Sequence, residues 1–174
     1  KDEEVSYNNK LTELLKLQQV ANGFIKTNEG SIVDFKTNAK LKELMSIIEE
    51  TQDKCIIWAN YVHNIEDIKK KLAETYGVDS VVSIYGKDSV DARNQAVEKF
   101  QNNEECRFLV GNPTVGGYGL TLTAAKYVIY YSNSYNLEVR QQSEDRAHRI
   151  GQKSQVTYID IICRDTIDQM VLHN

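Results

Sequence analysis

The sequence predicts a parallel α/β domain, and three observations carry that prediction. Short apolar runs alternate with helical stretches of ten or more residues along most of the 174-residue chain. The runs are continuously apolar rather than alternating, as expected for strands buried on both faces. The composition, 41% apolar and 26% charged, is that of a folded globular chain rather than a disordered or fibrous one.

The elements follow in order. Leu11, Leu14 and Leu15 share a helical face, with Val20 and Ala21 further on, and Asn22-Gly23 ends that helix. The polar, Gly-containing stretch Lys26 to Ser31 reads as a linker, which places a lead-in segment at 1–35 and the α/β domain at 36–174. Thr37 or Asn38 caps a helix whose Leu41, Leu44, Met45 and Ile48 form a stripe. Lys54 to Ala59 is a buried strand that includes Trp58, a core residue. Ile65, Ile68, Leu72 and Tyr76 mark the next helix, which Gly77 stops. Ser80 to Tyr85 is a strand, and Asp88 or Ser89 caps a helix carrying Val90, Val97 and Phe100. Cys106 to Gly111 and Lys126 to Ser132 are strands. A polar helix spans about Asn136 to His148. Gln155 to Cys163 is the fifth strand, and Thr166 to Leu172 the last helix. In sheets of this kind ligands bind outside the carboxyl ends of the strands, so chemistry is to be sought in the loops that leave them.

Charge and composition exclude several classes. The net charge of −4 gives no whole-surface basic field for nucleic acid. A local patch still acts within a Debye length of about 8–10 Å, and Arg140 to Lys153 holds four basic residues against Glu144 and Asp145. The longest uncharged run, Phe108 to Ala125, is interrupted by Pro113 and by Gly111, Gly116, Gly117 and Gly119, so it reads as soluble structure rather than a membrane span. Cys55, Cys106 and Cys163 lie far apart and read as reduced thiols in a cytoplasmic protein. No His, Cys or carboxylate group has metal-ligand spacing, so no metal site is assigned. The chain opens at Lys1 without a Met and is expected to be a piece of a longer polypeptide.

Two segments stand out chemically. Gln142, Arg146 and Arg149 fall at i, i+4 and i+7 of the polar helix, hence on one face. Two guanidiniums and an amide converging there suit an oxyanion, because arginine offers a fork of donors and keeps its charge. The ordinary alternative is a solvated helix with Arg140–Glu144 and Asp145–Arg149 surface pairs. A helix polar all round needs something besides an apolar stripe to hold it, which favours an occupied face. The second segment is Val115-Gly-Gly-Tyr-Gly119-Leu-Thr121, shortly after a strand end. Its glycines suit either a tight turn or close approach to a phosphate or sugar. It lacks the Gly-Lys-Ser/Thr of a triphosphate-binding loop. Arg93 lies on the apolar face of its helix, where it is either a rim residue or a backbone-binding arginine.

Gly116-Gly-Tyr-Gly-Leu-Thr-Leu-Thr-Ala-Ala125 followed by Gln142-x-x-Asp-Arg-Ala-His-Arg-Ile-Gly-Gln152 resembles motifs V and VI of the Swi/Snf-type ATP-dependent DNA translocases of helicase superfamily two. Lys40-Leu41, Lys54 to Asn60, Tyr85-Gly86, Arg93, Phe100 and Thr166-Ile167 fit the same register, so the resemblance covers about 36–174. It departs at Tyr135-Asn-Leu137, where the family has Trp-Asn-Pro, at Thr121 for Asn, and at Lys126 for an acidic residue, in the manner of a divergent bacterial or phage branch. The resemblance implies the second of two RecA-like lobes. Arg146 and Arg149 would be arginine fingers for ATP held with Mg²⁺ by a first lobe. Gln142 would position them, and Gly119 and Thr121 would lie near the ribose. Gly86, Thr114, Gly116 and Gly117 would lie near a duplex-DNA backbone. The first lobe's Walker lysine and Asp-Glu pair are absent here, so the chain alone is expected to bind no cofactor and hydrolyse no ATP. The implied partners are duplex DNA and that first lobe, with no membrane. The implied compartment is a bacterial cytosol or phage-infected host, or the nucleus if the source is eukaryotic. The competing reading is a non-catalytic helicase-like module that docks DNA or protein. A free-standing transferase would need a nucleophile, base or phosphate loop that the chain does not offer.

Overall fold

The computed structural model describes residues 9–115, 120–134, 136–148 and 154–172. The chain starts with α1 (Lys10–Ala21), capped by Asn9, whose Oδ1 accepts from Thr12 N at 2.8 Å. The leucine face expected to be buried is largely in solvent: Leu11 is 66% exposed, and Leu15, Leu17 and Val20 are exposed too. Among the described residues, α1 packs chiefly on β1 of the hairpin that follows and on the last helix, which leaves its outer leucines without a covering partner. The expected linker is instead a hairpin turn. β1 (Phe24–Lys26) and β2 (Ile32–Asp34) pair antiparallel, and Thr27 N donates to Ser31 O at 2.8 Å to close the loop. Strands of three residues are too short to show a period in sequence.

The domain proper alternates as expected: α2 (Ala39–Glu49), β3 (Cys55–Trp58), α3 (Val62–Tyr76), β4 (Val81–Ile84), α4 (Val90–Asn102), β5 (Phe108–Gly111), β6 (Tyr127–Tyr130), α5 (Leu137–Ala147), β7 (Thr157–Asp160) and α6 (Ile167–Leu172). Asn38 caps α2 through Leu41 N, and Ser89 caps α4 through Ala92 N. Asp88, the other candidate cap, accepts from Tyr85 N at 2.7 Å instead. Gly77 ends α3 at φ +96°, where a side chain would be strained. Each strand is one to three residues shorter at one or both ends than its apolar run, because the flanking residues turn into loops.

β3 to β7 form one parallel sheet in the order β4-β5-β3-β6-β7. Side chains still alternate by period two, but both sides are covered. Cys55, Ile57, Phe108, Val110 and Ile129 meet Leu44, Ile48, Ile65, Ile68 and Leu72 of α2 and α3. Ile56, Trp58, Leu109, Val128 and Tyr130 meet Phe100 of α4 and Ala147 of α5. Each such fully buried aliphatic or aromatic side chain stabilises the fold by about 1.5–3 kcal/mol. Val90 is not part of this core. It sits at the first turn of α4, beyond the sheet, and is 68% exposed. Gly111 closes β5 because nothing larger fits: an added Cβ would lie 2.8 Å from Ile84 O and 3.2 Å from Trp58 Cζ3. The chain leaves β3 toward β4 on one side and later reaches β6 on the other. The strand order therefore reverses around β3, and the carboxyl ends of β3, β5 and β6 surround the switch point.

Candidate functional site

Three loops leave the sheet at that switch point and are tied together by polar side chains. Asn60 N donates to Ser132 Oγ at 2.8 Å, and Asn112 Nδ2 donates to Asn60 O at 3.0 Å. Asn112 also accepts on Oδ1 from the Thr114 amide at 2.9 Å and the Thr114 hydroxyl at 2.5 Å. Its own amide reaches Ile84 O at 3.1 Å. One asparagine thus fixes the start of the glycine-rich loop against β3 and β4. Sequence reasoning missed Asn60, Asn112 and Ser132. Asn112-Pro113 after an apolar run signals a turn, but nothing local says which strand ends it joins.

Thr114 and Gly86 leave adjacent strands of the same rim. Thr114 is exposed, and Gly86 is exposed with no atom within 4 Å of where a Cβ would stand. Behind Gly86, Arg93 Nη2 donates to Asp88 O at 2.9 Å, so Arg93 ties α4 to the loop that precedes it. Gly116, Gly117, Gly119 and Arg149 lie outside the described residues.

α5 has little apolar surface, and polar contacts seat it. Tyr130 Oη and Ser143 Oγ share a 2.6 Å hydrogen bond between two buried side chains. The Arg140 guanidinium lies 3.4 Å from the Tyr130 ring centroid, grips Asp160 at 2.5 and 3.1 Å, and meets Glu144 at 2.5 Å. Burial opposes the Arg140 charge, but the hydrogen bonds to Asp160 and Glu144 more than offset it and raise its pKa. Burial holds the Tyr130 hydroxyl protonated well above the usual phenol range, against the Ser143 hydrogen bond and the Arg140 charge. The surface pair Arg140–Glu144 expected from spacing is present. Its stronger carboxylate partner, Asp160, is on the neighbouring strand.

The proposed triad divides. Arg146 is only 5% exposed, with its guanidinium 5.6 Å from the Trp58 ring. Its carbonyl accepts from Leu122 N at 3.0 Å, which couples the end of α5 to the exit of the glycine-rich segment. Gln142 is exposed and donates to Glu138 Oε1 at 3.0 Å. Thr121 is exposed beside a shallow hollow whose other wall includes Asn94 and Gln101 of α4. The structure therefore joins Arg146 to the segment that leaves Thr121 through Leu122, and sets Gly86 and Thr114 on the carboxyl rim. Among the described residues, no helix is long and apolar enough to cross a membrane.

Comparison with known proteins bears on this arrangement. The model for the helicase conserved C-terminal domain matches residues 38–151. An uncharacterized ATP-dependent helicase of Mycoplasma genitalium is 32% identical over 166 residues, covering 94% of this chain and 16% of that protein. The chromatin-remodeling ATPase INO80 of Candida albicans is 31% identical over 134 residues, covering 77% of this chain and 10% of that protein. The SWI2/SNF2 ATPase core of Sulfolobus solfataricus in complex with dsDNA superposes with a TM-score of 0.74 at 28% identity, over 94% of this chain and 34% of that one. The chain thus spans only a small part of the length of these relatives.

Proposed function

Because the chain belongs to the helicase conserved C-terminal domain family, we propose that it is the second motor lobe of an ATP-dependent translocase of duplex DNA. The observation that carries the reading is the coupling of motif V to motif VI through Leu122 N and Arg146 O, with Arg146 braced on Trp58. It supports a rigid wall from which arginine faces a nucleotide held by a companion lobe. The burial of Arg146 suits the inner part of that wall, and the reach to the γ-phosphate falls to Arg149. Gln142 orients this cluster, and Gly119 and Thr121 border the ribose. Mg²⁺ belongs to the companion lobe, since this chain carries no Walker lysine or acidic pair.

Gly86, Thr114, Gly116 and Gly117 grip the sugar-phosphate backbone. The exposed, unobstructed Gly86 beside Thr114 supports this. Such contacts are independent of sequence and weaken with salt. Arg149 draws the lobes together while the γ-phosphate charge is present and releases them after hydrolysis, so the rim steps along DNA. Alone, the chain hydrolyses no ATP.

The test is the DNA-stimulated ATPase of the full-length polypeptide. Arg149→Ala is expected to lower turnover by about 10³–10⁵ while leaving DNA affinity in place, as for a removed arginine finger. Unchanged turnover removes the assignment and favours a non-catalytic docking module.

A further inference from the structure

The fold brings Asp34, from a distant hairpin, onto a His63–Asp67 pair that helix spacing alone stacks. His63 opens α3, Asp67 follows one turn later, and Asp34 ends β2 of the hairpin. His63 Nε2 lies 2.6 Å from Asp34 Oδ1 and 3.3 Å from Asp67 Oδ2, and one ligand atom from each residue falls within 4.8 Å of the others.

We propose that Asp34, His63 and Asp67 form a divalent-cation site, zinc by preference, that fastens the hairpin to α3. One imidazole nitrogen faces two carboxylates, and a single N–H is directed at only one of them. A cation at the centre satisfies all three. Zinc bound at about 2.0–2.2 Å to nitrogen and oxygen needs donors roughly 3–3.5 Å apart. The His63–Asp67 pair at 3.3 Å already fits, and the His63–Asp34 pair at 2.6 Å must open by less than about 1 Å to admit the ion. A mixed nitrogen–oxygen set suits zinc over magnesium or calcium, which take oxygen ligands.

The nitrogen ligand is held in place before any ion arrives. The His63 side chain is 18% exposed, and its ring rests against Phe24 with centroids 4.9 Å apart. Asp34 and Asp67 border a 630 Å³ hollow between the hairpin and α2, which leaves room for water to complete the coordination. The other charges around Asp67 are Glu66 and Lys70, and Lys71 lines the hollow.

The experiment titrates the EDTA-stripped chain with ZnCl₂ against a chromophoric chelator at pH 7.5, and with Co²⁺ in parallel. One equivalent is expected in the wild type. Asp34→Asn, at a side chain 61% exposed and harmless to folding, is expected to weaken it at least about tenfold, and His63→Ala to do the same. The bound Co²⁺ is expected to show no thiolate charge-transfer absorption. Equal zinc affinity in all three proteins, or a thiolate band tracing the metal to cysteine, overturns the site.

Discussion

α3 and α5 both cover the sheet between parallel strands, yet they are held by opposite means. α3 buries Ile65, Ile68 and Leu72 in a stripe against β3 and its neighbours. α5 buries Ser143, Arg146 and Ala147, and it is seated by Tyr130, Asp160 and Trp58. Apolar burial is non-directional and proportional to area. Hydrogen bonds and ion pairs demand particular geometry. α3 therefore supplies stability, whereas α5 supplies a defined position for a row of polar side chains. The proposed role, presenting arginine to a companion lobe, needs both.

The comparison breaks most sharply at Ile68. Ile68→Ala is expected to destabilise the lobe by about 3–4 kcal/mol through lost burial and a cavity, measured by urea denaturation. A loss below about 1 kcal/mol would mean that α3 is not the chief apolar cover. Arg140→Ala comes next, at about 2–3 kcal/mol, because Asp160 and Glu144 lose a charged donor and Tyr130 its cation. Hydrogen exchange should show this loss first as local opening of α5, and uniform opening of the whole lobe would contradict the division of labour. Tyr130→Phe should cost about 1 kcal/mol, the worth of one hydrogen bond to Ser143. If Ser143→Ala cost as much on top of Tyr130→Phe as it does in the wild type, the pair would not be coupled.

The smallest effect sharpens the comparison by pH. Tyr130 lies on the α5 side of the sheet and Tyr131 on the α3 side. Burial raises both hydroxyls above the ordinary 10.0, and the Tyr131 hydroxyl donates to Asn38 Oδ1 at 3.1 Å. Burial likewise raises the Cys55 and Cys106 thiols above 9.0. The native state holds these protons more tightly than the unfolded chain. Their contribution is complete below about pH 9 and is lost as pH rises through the raised values. Stability should fall progressively above pH 9, and Tyr131→Phe should flatten the part of the decline above pH 10. A flat profile to pH 11 would refute it.

Much of the architecture was legible because it is written locally. Five apolar runs, two asparagine or serine caps and Gly77 sit within a few residues of the elements they define, and sterics and periodicity act at that range. The placement of α1 was legible only as a helix, since nothing in Leu11 or Leu15 tells whether a partner surface is wide enough to cover them. The hairpin was too short to show its period. Of the candidate site, the helix carrying Gln142 and Arg146 and the loop start at Thr114 could be placed from the residues, while the Asn60–Asn112–Ser132 tie could not.

By itself, then, the amino-acid order determined a parallel sheet, its covering helices and a polar helix rich in arginine, because burial and backbone preference depend on near neighbours. Tertiary structure alone decided that Arg146 turns inward onto Trp58 while Gln142 stays in solvent. It alone joined Arg140 to Asp160, and Asp34 to His63 and Asp67. Those groups are twenty or more residues apart along the chain or divide one helix face by depth, and only the closed fold sets such distances.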